Sequence, residues 1–174
     1  VSLLLAPVTH LSAEIKAPKG FTSLLNGKDL SNWYGWTTKN PEELWKLSTE
    51  EQKAYKDESR KDINEHWSID GDVVVNDGHG LYLTTEKEFS DYELLIDYKT
   101  VPKADSGIYL KGVPQVQIWD YTDPDKFGIG GDKGSGGLWN NSKGAKGKDP
   151  LVLADNKLGE GNSFRIRQVG AGAE

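Results

Sequence analysis

A chain of 174 residues with no cysteine excludes a disulfide scaffold, a thiolate metal site and a cysteine nucleophile together. Its net charge of −6 argues against nucleic acid as a partner, because phosphate binding needs a basic stripe and the Lys-rich piece at 143–148 is interleaved with glycine. The length suits one domain with a substantial core, and 20 glycines with six tryptophans at a mean hydropathy of −0.63 fit a turn-rich β protein better than a helical bundle.

Residues 1–13, VSLLLAPVTHLSA, are apolar, broken by Pro7, and end in small residues, like the hydrophobic end of a secretory signal. The expected location is therefore extracytoplasmic: periplasmic, secreted or cell-surface. The segment is too short to span a bilayer, which takes about 20 apolar residues. If ordered, residues 1–11 must be buried against their own sheet or a neighbour's, as a donated strand in a homo-oligomer or assembly. The expected organisation is thus an apolar segment at 1–19 and one domain at 20–174.

Residues 20–25 read as a short strand, Asn26-Gly27 as a turn, and 28–33 as a second extended piece. Residues 37–65 change character and read as a helical insertion of two short helices. Pro41 stands where a first helical residue would, Ser48 and Glu51 have capping-box spacing, and Trp45, Leu47, Ala54 and Tyr55 supply a narrow apolar stripe. Strand patterns return from His66, with hairpin signals at Asp70-Gly71 and Asp77-Gly78.

In DYELLIDYKT, residues 91–100, Tyr92, Leu94, Ile96 and Tyr98 share one face while Glu93, Leu95, Asp97 and Lys99 share the other. The stretch 105–120, DSGIYLKGVPQVQIWD, predicts two strands around a Gly-Val-Pro turn. Ile108 and Leu110 lie on one face and Tyr109 and Lys111 on the other; after the turn Gln115, Gln117 and Trp119 share one side and Val116 and Ile118 the opposite side. A face of long polar side chains and rings suits a sugar, which offers hydroxyls to bond and C–H faces to stack. Residues 121–150 form a Gly-rich stretch too long for an ordinary connection, hence a candidate functional loop. NSFRIRQV, 162–169, is the last strand. Short strands with Gly turns predict an all-β, two-sheet jelly-roll sandwich with a small helical insertion.

The histidines His10, His66 and His79 are too dispersed for a triad, and no metal site is assigned to them. Glu93, Asp97 and Asp120 are the acids near the polar strand face; for Asp120, at a strand end, capping a turn is the ordinary role. Tyr109, Trp119 and Trp139 are candidate stacking platforms, and Asn140 and Asn141 could line a site from the long loop. Asp123, Asp125 and Asp132 could hold Ca²⁺, but Asp in such loops ordinarily makes turns, so no cofactor is assigned.

The pieces GFTSLLNGKDLSNW, HWSIDGDVVV, DYELLIDYKT, SGIYLKG, PQVQIWD, GSGGLWNN and LGEGNSFRIR follow one another in the order of a known family. The chain resembles the 3-keto-disaccharide hydrolase domain family of the concanavalin-like lectin and glucanase superfamily, from Gly20 to about Val169. The resemblance implies a concave sheet face carrying a carbohydrate site and hydrolysis of a 3-keto-glycoside. A 3-ketone acidifies the neighbouring C–H, so one base, one acid and one enolate stabiliser suffice. The roles that follow are Glu93 or Asp97 as base, Lys111 as the stabilising cation and Gln117 as an orienting group, with Tyr109, Gln115, Trp119, Asp120, Trp139, Asn140 and Asn141 around the substrate. The chain departs from the family pattern at Gln115, where Glu is common, and at Gly161, where Trp is usual; further terminal strands of the family are expected to be missing. A non-catalytic carbohydrate-binding module and a subunit of an extracellular assembly are the rival expectations.

Overall fold

The computed structural model describes residues 17–170 and the backbone of 172–173, so the expectations placed on residues 1–16 lie outside the described residues. Among the described residues the fold is β-rich with few helices and no barrel: strands in four small antiparallel sheets, the chain dividing into two compact units, Val1–Glu88 and Phe89–Glu174.

In the first unit, β1 (Trp33–Trp36) precedes two helices, α1 (Glu42–Trp45) and α2 (Thr49–His66), then β2 (Trp67–Asp70), β3 (Val73–Asn76) and β4 (Tyr82–Thr85). The capping box forms as the spacing predicts: the Glu51 amide donates to Ser48 Oγ, and the Ser48 amide donates to Glu51 Oε2 at 2.9 Å. Pro41 caps α1 rather than beginning it. No strand forms at 20–25, because the Asn26 side chain turns the chain, its Oδ1 accepting from the amides of Lys28 and Asp29 at 2.9 Å each.

Helix α2 lies close against β1. Ser59 Oγ accepts from the Gly35 amide at 3.0 Å, and a Cβ on Gly35 would stand 2.8 Å from Leu81 and 3.1 Å from the fully buried Ile63. Glycine at 35 is what allows helix and strand to meet. Lys56 and Arg60 both pair with Glu86, and Trp36 meets Tyr55 edge-on at 5.1 Å.

Asp70-Gly71 closes the β2–β3 hairpin, with Asp70 opposite Val73. Asp77-Gly78 closes none: β4 pairs antiparallel with β1, Trp33 opposite Thr85. The connection 77–81 is instead drawn back to α2 by its polar groups. Asp62 Oδ1 accepts from the Leu81 amide at 2.6 Å, Asn76 Nδ2 donates to the carbonyls of His66 and His79, and His66 Nδ1 meets Asp77 Oδ2 at 3.0 Å.

The hydrogen bond to Asp77 raises the His66 pKa above its ordinary 6.5, and the same bond lowers that of Asp77. The stabilisation from His66 is complete below the unfolded-state value and lost as pH rises through the raised folded-state value, provided Asp77 stays ionised. NMR titration is expected to place the His66 midpoint above 6.5, falling on Asp77→Asn; a midpoint that ignores this substitution would show that the pair does not form.

The second unit holds β5 (Tyr92–Lys99), β6 (Asp105–Tyr109), β7 (Gln115–Trp119), β8 (Gly161–Val169) and β9 (Gly172–Ala173). β5 pairs with β8 along its whole length, from Tyr92 opposite Gln168 to Lys99 opposite Gly161. β6 pairs with β7, Asp105 opposite Trp119 and Tyr109 opposite Gln115. Buried Leu110, Val116 and Ile166 form one cluster, with Tyr92, Leu94, Ile108, Leu138 and Phe164 packed on it. The apolar faces of the two ladders therefore share a core, and the alternate side chains of each ladder point away from it.

All five residues of β7 are buried, on both faces. Part of the long loop explains this by pairing along the free edge of β7: the Gln117 amide donates to the Gly137 carbonyl, Gly136 donates back to Gln117, and Trp139 donates to Gln115, at 2.9, 2.9 and 3.0 Å. The rest of the loop carries two 3-10 turns, Pro124–Ile129 and Gly131–Lys133, the first capped by Asp123 accepting from the Asp125 amide.

Candidate functional site

The sequence-predicted residues do not converge on one basin. Glu93 and Asp97 stand on the outward face of β5, which pairs with β8, whereas Tyr109 and Gln117 belong to the separate β6–β7 ladder. Glu93 receives both Arg165 Nε at 2.7 Å and Nη2 at 3.2 Å, and these hydrogen bonds hold its carboxyl below the ordinary range. Asp97 Oδ1 accepts from Ser163 Oγ at 2.5 Å. Lys111 lies in the turn rather than on the strand, with φ of +41°, its Nζ donating to the Gly170 carbonyl at 3.0 Å and 3.5 Å from Asp91.

The remaining candidates fall into three places. Asp120 is buried and ties the strand end: although burial pushes its carboxyl up, hydrogen bonds from Thr122 Oγ1, the Lys103 amide and the Thr122 amide outweigh this and hold it low. Asp120→Ala is expected to cost about 1–3 kcal/mol by stranding those donors, read as a lowered urea midpoint; an unchanged midpoint would free Asp120 from this anchoring role. In the loop, Asn140 Nδ2 donates to the Val113 carbonyl at 2.6 Å and the Asn141 amide to Leu138 at 3.0 Å. Gln115, Gln117 and Trp119 lie beneath the outer side of β6–β7, with Tyr109 half-buried beside them. Gln115 crosses Gly107, where a Cβ would stand 2.2 Å from its Nε2.

On that same side the structure assembles a group built around Asp105. Gln117 Nε2 donates to Asp105 Oδ1 at 3.0 Å, and Lys126 Nζ donates to Asp105 Oδ2 at 2.5 Å. The Asp105 and Lys126 side chains remain 43% and 30% exposed, so solvent and solutes reach the pair. Its bond to Asp105 raises the Lys126 pKa and keeps the ammonium charged. Lys126 Nζ lies 5.9 Å from the Trp119 ring centre, Trp119 meets Trp139 edge-on at 5.3 Å, and Lys148 Nζ stands 3.9 Å over Trp139. A carboxylate, a cation, an amide and two indoles thus meet on one sheet face.

Two of these residues were absent from the sequence reading. Asp105 was legible, since it shares strand parity with Tyr109 and falls opposite Trp119 when the hairpin is counted back from its turn. Lys126 carried no such signal, because its position depends on how the 3-10 turn folds back over β6. Asp125 comes within 4.0 Å of Lys103, and among the described residues no group of three or more His, Cys, Asp or Glu is arranged to hold a metal ion.

The model of the 3-keto-alpha-glucoside-1,2-lyase-like domain matches residues 20–174. The chain belongs to that family. The match spans every strand and both helices of the two units, so the helical stretch at 37–65 falls within the family's own domain. No curated protein and no solved structure matches the chain. Membership in the 3-keto-alpha-glucoside-1,2-lyase-like family places it among carbohydrate-acting domains. No helix among the described residues is long and apolar enough to cross a membrane.

Proposed function

We propose that this domain cleaves a 3-keto-α-glucoside by elimination, on the outer face of β6–β7, with Asp105 as base and Lys126 as the cation at the ketone. The observation that carries this reading is the Asp105–Lys126 pair at 2.5 Å. Enolisation needs a base at C2–H and a positive charge at the oxygen of adjacent C3, and a carboxylate and ammonium held side by side match two adjacent reacting atoms.

The steps balance as follows. Asp105 takes the C2 proton, and the C–H electrons form an enolate whose oxygen Lys126 stabilises. The enolate then expels the C1 substituent, forming a C1–C2 double bond, and the departing alkoxide takes a proton from water at this half-open face. The products are a 2-hydroxy enone sugar and an alcohol. Gln117, buried and donating to Oδ1, orients the carboxylate and leaves Oδ2 beside Lys126. Half-buried Trp139 offers ring surface to the sugar's C–H groups.

A two-sheet jelly roll of the concanavalin kind is the architecture proposed for the whole domain, supported by the common core of the two ladders. The apolar sequence of residues 1–13 supports an extracytoplasmic place of action. Incubation with a 3-keto-α-glucoside tests the activity: enone absorbance and released alcohol are expected in equal amounts. Saturable binding without either product would instead establish a carbohydrate-binding module, a reading favoured by the uncharged Gln115.

A further inference from the structure

The second unit holds a cavity of about 310 Å³, lined by Tyr98, Ser135, Asp155, Asn162 and Phe164 among others. Its size lies at the low end of ligand pockets, about 300–1,000 Å³. None of these residues belongs to the Asp105 group. Tyr98 and Phe164 form one wall, their rings 4.7 Å apart and tilted by 33°. Ser135 and Asp155 are bonded to each other, the Ser135 amide donating to Asp155 Oδ2 at 2.8 Å and its hydroxyl to Oδ1 at 2.5 Å.

Asn162 is the informative residue. It is 8% exposed, and the Asn156 amide donates to its Oδ1 at 2.8 Å, which fixes the orientation of the side-chain amide. Its Nδ2 has no hydrogen-bond partner and no contact with solvent. Such buried donors are rare in native proteins and call for an acceptor. An arriving acceptor must be accompanied by a local side-chain shift, since the nitrogen is screened.

We propose that this cavity binds a neutral hexose-sized sugar ring, as a site separate from the reaction site. The ring pair takes the C–H face, Asn162 Nδ2 donates to a sugar oxygen, and Asp155, which has lone pairs left after its two bonds to Ser135, accepts from a hydroxyl. The Asp155 carboxylate makes an anionic ligand unsuitable. Ser135 links the cavity to β7, because its Oγ also accepts from the Trp119 amide at 3.0 Å.

The test titrates D-glucose into ¹⁵N-labelled whole protein. The Asn162 side-chain amide signals are expected to shift saturably, with intermolecular NOEs from sugar protons to the Tyr98 and Phe164 rings. Asn162→Asp keeps the acceptor for the Asn156 amide but removes the donor, and is expected to weaken glucose binding at least tenfold. Asp105→Asn is expected to leave glucose binding as in wild type, so loss of turnover and loss of this site are read separately. Absence of a saturable shift, equal affinity in the Asn162→Asp protein, or NOEs confined to Trp139 would each overturn the proposal; should that variant fail to fold, the wild-type NOEs decide.

Discussion

Asp105→Asn is expected to lower kcat for a 3-keto-α-glucoside by about 10²–10⁴-fold while the protein stays folded, the range for loss of a positioned general base. The amide keeps the size of the side chain and a carbonyl oxygen for Gln117 Nε2, so the loss reports basicity rather than packing. Lys126→Ala removes the charge at the developing enolate oxygen and is expected to cost about 10²-fold, falling on kcat more than on KM. Glu93→Gln, on the separate β5–β8 ladder and already committed to Arg165, is expected to change turnover by less than about threefold, roughly the resolution of such comparisons. A Glu93→Gln protein that loses activity while the Asp105→Asn protein keeps it would return the site to the outward face of β5.

The second large effect concerns stability. Leu110→Ala is expected to destabilise the second unit by about 2–5 kcal/mol, the range for deleting a buried leucine side chain. Leu110 is 1% exposed and joins Val116 and Ile166 in the cluster that both ladders share, so the cavity opens where one sheet meets the other. It also precedes Lys111, whose positive φ is held in place by the closing bond from the Leu110 amide to the Pro114 carbonyl at 2.7 Å. Leu95→Ala serves as the comparison. Leu95 lies on the outward face of β5 and is 40% exposed, so its truncation is expected within about 0.5 kcal/mol of wild type. Urea unfolding followed by near-ultraviolet dichroism distinguishes the two; equal midpoints for both variants would mean that the ladders do not share a core.

Much of the fold was legible where local chemistry decides it. The Ser48–Glu51 box and the strands at 92–99, 105–109 and 115–119 depend on neighbours in sequence, and these elements form as read. Choices settled by distant partners were not legible. Residues 82–85 carry a strand pattern, but pairing with β1 rather than β3 depends on how Asp62, His66 and Asp77 pull the intervening loop onto α2. Strand parity put Gln115, Gln117 and Trp119 on a polar face, yet it could not show that residues 135–139 would pair along β7 and help to bury them.

The same limit applies to the site. Parity separates Glu93 and Asp97 from the inward face of β5, but parity is a property of one strand, and it does not say where another strand's polar face will lie. Glu93 and Gln117 both stand away from the core, but on two different ladders. Asp105 was within reach of the same counting, whereas Lys126 required the folded 3-10 turn.

In the proposed reaction Asp105 removes the proton from C2 of the sugar. Release of deuterium to water from a C2-deuterated 3-keto-α-glucoside, followed by NMR, measures that step itself. Wild type and the Glu93→Gln and Asp97→Asn proteins are expected to release deuterium in step with alcohol formation, and the Asp105→Asn protein to release neither. Deuterium release at the wild-type rate from Asp105→Asn, or alcohol formation with the C2 deuterium retained, would contradict the account.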